Sequence, residues 1–148
     1  MNCIRQATPE DLARIAEIEI FNYRLNFYPI FRNDVYYFQE LQVPGMMEQN
    51  AALLASTYVY DDGVVKGFIR MDGHQVTKLF VEPVLQGQGL GAKLLSYAVS
   101  TFDANTLWVL KKNTRAIAFY QRHGFQLTDE QVLEEGTDEF LIRMKRLV

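Results

Sequence analysis

The chain has 148 residues, a formal net charge of −3 and 49% hydrophobic residues, enough for one domain with a real core. The slight negative charge disfavours nonspecific nucleic-acid binding, which needs a basic face, and no run of about 18 apolar residues offers a membrane span. A single cysteine, Cys3, allows no internal disulfide, two histidines in unrelated places form no metal-ligand cluster, and the start lacks a signal-peptide pattern, so a metal-free, cytoplasmic protein is expected.

Residues 2–7 read as a first strand, with Cys3 as an inert core thiol. Thr8-Pro9-Glu10-Asp11 is a helix start: a capping hydroxyl, a proline at the first helical position and acids in the first turn. That helix is predicted to run to about Asn22. Residues 21–38 hold eight of the nineteen aromatic residues and are predicted as loop plus the start of a second helix reaching about Gln49. Residues 55–60 and 64–71 flank Asp61-Asp62-Gly63, a strong hairpin signal. Gly73 turns the chain into a strand over 76–81, followed by a helix over 90–102 with Leu94, Leu95 and Ala98 on one face. A buried strand near 106–110, a helix from Asn113 to Gly124, and a closing antiparallel pair over 125–133 and 139–147 complete the chain. The order β-α-α-β-β-β-α-β-α-β-β predicts one α/β domain over residues 1–148, with a mixed sheet and helices on both faces.

Residues 81–91 read Val-Glu-Pro-Val-Leu-Gln-Gly-Gln-Gly-Leu-Gly. Strand, glycine loop, then helix start builds an anion site, because glycines let backbone approach a ligand and the first helical N–H groups lack internal partners. A P-loop needs a Lys-Ser/Thr pair after its last glycine, whereas Gly91 is followed by Ala92-Lys93-Leu94. The dinucleotide fingerprint needs G-x-G-x-x-G on an early βαβ unit, whereas these glycines are spaced G-x-G-x-G past mid-chain. Gln86-x-x-Gly89-x-Gly91 after a strand ending Val-x-Pro resembles the acyl-CoA pyrophosphate loop of the GCN5-related N-acetyltransferase (GNAT) superfamily. A second stretch, Asn113-Thr-Arg-Ala-Ile-Ala-Phe-Tyr-Gln-Arg-His-Gly-Phe125, resembles that superfamily's Asn…Ala…Phe-Tyr…Gly-Phe pattern. Both motifs stand in the family's order within residues 76–125.

The resemblance implies a mostly antiparallel sheet with one splayed parallel strand pair, and acetyl-CoA as acyl donor. The donor's pyrophosphate would meet Gln86, Gly87, Gln88, Gly89, Leu90, Gly91 and Ala92. Its amide-bearing arm would lie along Leu79, Phe80 and Val81, near Asn113 and Ala116. The Val81 N–H would hold the oxyanion, a role that belongs to backbone. Tyr120 would protonate the departing thiolate. Lys93, Lys111, Lys112 and Arg115 are candidate phosphate contacts, and Phe119 is expected to face elsewhere, as core.

Histone-type members carry a glutamate eleven residues before the loop glutamine. Here that position is Gln75, which takes no proton. At pH 7 a lysine amine is neutral in about one molecule in 2,500, but an α-amine in roughly a tenth, so a site without a strong base suits an α-amine or relays protons through water. His74 and Glu19 are the alternatives. Glu19 falls between Leu12, Ile15 and Ala16 on the apolar helix face, where a carboxylate needs a partner or the edge of a cleft. The aromatic segment is expected to wall the acceptor cleft. The function expected is transfer of an acetyl group to a primary amine, of a small molecule or of a peptide or protein, by direct attack. The alternative is a non-catalytic acyl-CoA-binding module on the same fold.

Overall fold

The computed structural model describes residues 2–147. Seven strands form one sheet in the order β1-β2-β3-β4-β5-β7-β6. They are β1 (Ile4–Gln6), β2 (Thr57–Asp61), β3 (Val65–Asp72), β4 (Gln75–Val81), β5 (Thr106–Leu110), β6 (Phe125–Leu133) and β7 (Phe140–Arg146). Every neighbouring pair is antiparallel except β4 with β5.

Strand alternation sends side chains to two opposite layers. Tyr60, Ile69 and Val76 pack with Leu94, Leu95 and Ala98 of α4 (Leu90–Phe102). Their neighbours Val59, Val65 and Phe68 pack with Ile15 and Ile18 of α1 (Leu12–Asn22). The expected mixed sheet with helices on both faces is therefore present, and the Asp-Gly hairpin joins β2 to β3. Gly67 marks how closely β3 is approached: a Cβ there would stand 2.9 Å from the Phe80 carbonyl oxygen and 3.2 Å from Leu94 Cδ1.

The first strand is shorter than predicted, and residues 21–38 depart most from the sequence reading. Instead of a loop, the chain leaves α1 through a wide π turn, Tyr23–Phe27, and continues as α2 (Tyr28–Phe31). Pro29 has no N–H to return to the preceding turn, so regular α-helical bonding is broken there. The helix stops at Arg32, in the left-handed conformation with φ of 52°. A second π turn, Tyr36–Glu40, precedes α3 (Val43–Ala51). Loop composition and helix composition coincide here because the aromatics pack on α1: Tyr37, Leu41 and Met46 are buried against Ala16 and Ile20.

The start of α1 is held electrostatically. Asp11 accepts the Thr8 backbone N–H at 2.8 Å and takes both ends of the Arg5 guanidinium, at 2.7 and 2.9 Å. The Arg5 hydrogen bond is the largest cause holding the Asp11 carboxyl below its ordinary value of 3.8. A folded-state pKa below the unfolded one means stability is fully present above the ordinary value and is lost as pH falls through the depressed one. Asp11→Asn should cost about 1–2 kcal/mol at pH 7. In urea denaturation at stepped pH, the gap between the proteins should close as pH falls below the ordinary carboxylate range.

Candidate functional site

β4 and β5 pair for two residue pairs, Gln75 with Thr106 and Val76 with Leu107, and then diverge. On its other side β4 stays bonded to β3: the Glu82 N–H donates to the Lys66 carbonyl at 2.9 Å. Antiparallel pairs alternate between bonded and non-bonded. Counting back through the register of β3 with β4, the backbone N–H and C=O groups of Val81 and Leu79 turn away from β3, into the gap toward β5. The Val81 carbonyl is already satisfied, by Asn22 Nδ2 at 2.9 Å and Gln86 Nε2 at 3.4 Å. The Val81 N–H and both Leu79 groups have no strand partner in the gap, since the pairing with β5 has ended.

Below the gap lies the glycine loop. Gly87 and Gly89 hold φ of 87° and 82°, which side-chain-bearing residues rarely adopt. Gly89 caps α4, and the first intrahelical bond runs from Lys93 N–H to the Gly89 carbonyl. The amides of Leu90, Gly91 and Ala92 therefore project from the helix start without helical acceptors. The loop is anchored from α1: buried Asn22 accepts Gln86 Nε2 at 3.0 Å while donating to Val81 and, at 2.8 Å, to the Ile18 carbonyl. Across from the loop stands α5 (Thr114–Arg122), capped by Asn113, whose Oδ1 accepts the Ala116 N–H at 3.2 Å.

Two cavities meet at the gap and share Phe27, Leu79, Phe80, Asn113, Ala116 and Tyr120 as walls. The lower one, about 420 Å³, is bounded by the glycine loop and by Arg115, Phe119, Arg122 and His123 of α5 and its end. The upper one, about 570 Å³, is bounded by aromatics from the π turns, by Lys78, by Trp108 and by Glu134 and Glu135 between β6 and β7. Of the residues predicted to meet the acyl donor, Leu79, Phe80, Val81, Gln86, Gly87, Gly89, Leu90, Gly91, Ala92, Asn113 and Ala116 all line the lower cavity, and Gln88 does not. Tyr120 sits at the junction, half-buried, and burial pushes its phenol well above the ordinary range. Its hydroxyl stays a proton donor at any physiological pH.

Other sequence-predicted residues lie elsewhere. Lys93 stands over the Tyr60 ring, 5.8 Å from its centroid, on a different groove. Lys112 pairs with Glu139 at 2.8 Å, and Lys111 lines neither cavity. The cations that reach the lower cavity are Arg115, as expected, and Arg122, with the His123 ring beside them. Phe119 is not simply core, because it walls that cavity beside Gly91. Arg115, Phe119 and Arg122 recur at steps of four and three, one helical face, so this signal was available in the sequence. His74 bonds through Nδ1 to the Phe102 and Asp103 carbonyls, at 2.9 and 3.1 Å, and neither it nor Gln75 lines the cavities. Five of the eight clustered aromatics, Tyr23, Phe27, Phe31, Tyr36 and Tyr37, wall the upper cavity.

Glu19 lies one layer behind that wall, at 0% exposure. Its Oε1 accepts Asn50 Nδ2 at 3.1 Å, and its Oε2 accepts the Tyr23 hydroxyl at 2.5 Å and the Lys78 ammonium. Two of these partners, Tyr23 and Lys78, are cavity walls, so Glu19 reaches the cleft only through them. Burial first, then the Glu19 charge, raises the Tyr23 phenol well above its usual value. Burial likewise pushes Tyr37 up to about 12, with Tyr36 and Glu134 adding to it.

A splayed parallel pair, a glycine-capped helix start below it and an arginine-bearing helix face opposite frame a cleft whose lower end can receive an anion. The family model described as an acetyltransferase (GNAT) domain matches residues 54–127, half of the chain, and the chain belongs to that family. It is 31% identical over 77 residues to the peptidyl-lysine N-acetyltransferase YjaB of Salmonella typhimurium, covering 52% of this chain and 53% of that protein. With the peptidyl-lysine N-acetyltransferase YiaC of Escherichia coli it shares 35% over 77 residues, 51% and 53% of the two chains. The chain thus matches about half the length of these curated relatives. In fold, it matches the apo form of YjaB from Escherichia coli with a TM-score of 0.75 at 21% identity, over 97% and 96% of the two chains. It also matches the PaiA N-acetyltransferase of Thermoplasma acidophilum in complex with coenzyme A, with a TM-score of 0.66 at 20% identity, over 96% and 97%.

Asn22 ties the strand end to the loop, so its loss should be felt in both. Asn22→Ala is expected to cost about 1–3 kcal/mol, because buried carbonyls lose a donor. Urea denaturation measures that cost, and amide exchange over residues 86–89 should quicken beyond the global change.

Proposed function

We propose that residues 1–148 form a single N-acetyltransferase domain that moves an acetyl group from acetyl-CoA to a primary amine. The observation that carries this reading is the gap between β4 and β5, with unpaired backbone groups at Leu79 and Val81 opening directly onto the glycine loop. An amide-bearing arm can bond those groups as an added strand would. The amides from Gly87 to Ala92 can then receive a pyrophosphate at the helix start, while Arg115 and Arg122 offer positive charge from the opposite wall. Family membership and the coenzyme A complex of the PaiA relative support acetyl-CoA as the donor.

In this reading the amine enters through the upper cavity and attacks the thioester carbon. A C–N bond forms, the C–S bond breaks, and the amine's surplus proton leaves to solvent. The Val81 N–H holds the negative oxygen that develops. Tyr120 serves the departing thiolate. Because burial raises its phenol far above a thiol's pKa, it stabilises the thiolate chiefly by hydrogen bonding, and solvent completes the protonation after release. Glu19, one bonded partner removed from the cleft surface, acts as a positioning residue for Tyr23 and Lys78.

A thiol-release assay with acetyl-CoA against amino acids, polyamines, aminoglycosides and peptides tests the proposal. Acceptor-dependent thiol release is the expected result. Coenzyme A binding with no turnover across the panel would favour an acyl-CoA-binding module instead. Tyr120→Phe should lower kcat by about 10²–10³, the scale for losing one hydrogen-bond donor to developing charge, with coenzyme A affinity nearly unchanged. Arg122→Ala should weaken coenzyme A binding about tenfold in calorimetry, with a smaller loss at high salt.

A further inference from the structure

The floor of the upper cavity carries a charge imbalance that the fold does not resolve. Arg70 and Lys78 are register partners on β3 and β4, so both project from the same face of the sheet toward α1. Glu19 meets this pair with one negative charge. Its two oxygens are already taken by Asn50, Tyr23 and Lys78. Arg70 is 4% exposed; its Nε donates to Thr57 Oγ1 at 2.8 Å, and its Nη2 has no hydrogen-bond partner among the described residues. The floor thus holds two cations and one buried carboxylate, and of the two cations Lys78 is the one that bonds it. Lys78 is the member that reaches the cleft, with its side chain 29% exposed and its ammonium 5.5 Å from the centre of the Tyr23 ring. An ammonium has three donors, so the contact with Glu19 leaves Lys78 able to bond an anion from the cavity.

Resting on the acyl-transfer reading above, we infer that the acceptor carries a carboxylate next to its amine, received by Lys78, and that the substrate class is a free apolar or aromatic amino acid. Lys78 directly precedes Leu79, whose backbone faces the gap where the reaction would occur. In an amino acid one carbon separates amine from carboxylate, so an amine at the gap brings its anion to this part of the floor. A lysine within a peptide brings no anion so near its amine. The cavity walls agree: Tyr23, Phe27, Phe31 and Tyr37 form an apolar enclosure for a side chain. Glu134 and Glu135 face the same cavity from the turn between β6 and β7. A negative rim opposite a positive floor turns the anionic end of a zwitterion inward.

The test measures binding and does not depend on turnover. The full chain saturated with coenzyme A is titrated calorimetrically with N-acetyl-phenylalanine, with its uncharged carboxamide and with a blocked peptide containing acetyl-lysine. The carboxylate should bind at least about tenfold more tightly than the carboxamide, the scale of one charge-assisted hydrogen bond. Lys78→Met should bring the two within about twofold, while Lys78→Arg keeps the preference. Equal binding of the three ligands by the unaltered protein overturns the inference, as does measurable binding by none of them or a preference that survives Lys78→Met. Thermal melts establish that each variant is folded. Coenzyme A affinity, read in the same titrations, reports on the acyl-transfer proposal separately: its loss sinks that reading, whereas intact coenzyme A binding without carboxylate preference sinks only this one.

Discussion

The early end of the β4–β5 pairing is the constraint from which the site follows. A parallel pair that continued past Val76 and Leu107 would consume the Leu79 and Val81 backbone groups and close the space between the strands. Because it stops, one cleft passes through the plane of the sheet, with the glycine loop at one end and the aromatic enclosure at the other. Unpaired backbone groups are costly when buried and cheap when they face a cavity that solvent or a ligand can fill. The gap is thus tolerable and useful for the same reason. Divergence is also supported from behind, where Asn22 and Gln86 take up the Val81 carbonyl and fix where β4 ends.

The two halves of the cleft differ in electrostatic character. Toward the loop, unpaired helix-start amides face Arg115, Arg122 and His123, a surround suited to phosphate oxygens. Toward α1, charges of both signs are layered behind aromatic walls, with Glu19, Arg70 and Asn50 buried. Removing charges from water is expensive and is repaid only by good partners. Glu19 has such partners and Arg70 lacks one at Nη2. A charged layer kept at that cost beneath a cavity is more readily understood as serving what enters the cavity than as a source of stability.

Much of this was legible because it depends on local rules. The Thr8-Pro9 helix start, the Asp-Gly hairpin, the Leu94-Leu95-Ala98 stripe and the glycine loop each follow from conformational preference or periodicity within a few residues. The aromatic segment reads as loop plus the start of a second helix because side-chain composition does not reveal a π turn, which depends on how a helix packs and on the missing N–H of Pro29. Lys93 was chosen for its nearness to the loop in sequence, but its position on α4 turns it toward Tyr60, while Arg122, thirty-one residues after Gly91, faces the loop.

By itself the sequence determined the seven strands and their order along the chain, the glycine loop between a strand and a helix start, and the position of Tyr120 on the same helix face as Asn113, since each rests on spacing along one chain segment. Tertiary structure alone decided where β4 parts from β5, which cations line the lower cavity, and that Glu19 is shared by Lys78 and Asn50. Those outcomes depend on strand register and on groups between thirty and sixty residues apart, such as Glu19 with Asn50 and with Lys78. No local preference encodes such distances; they are set when the helices close over the two faces of the sheet.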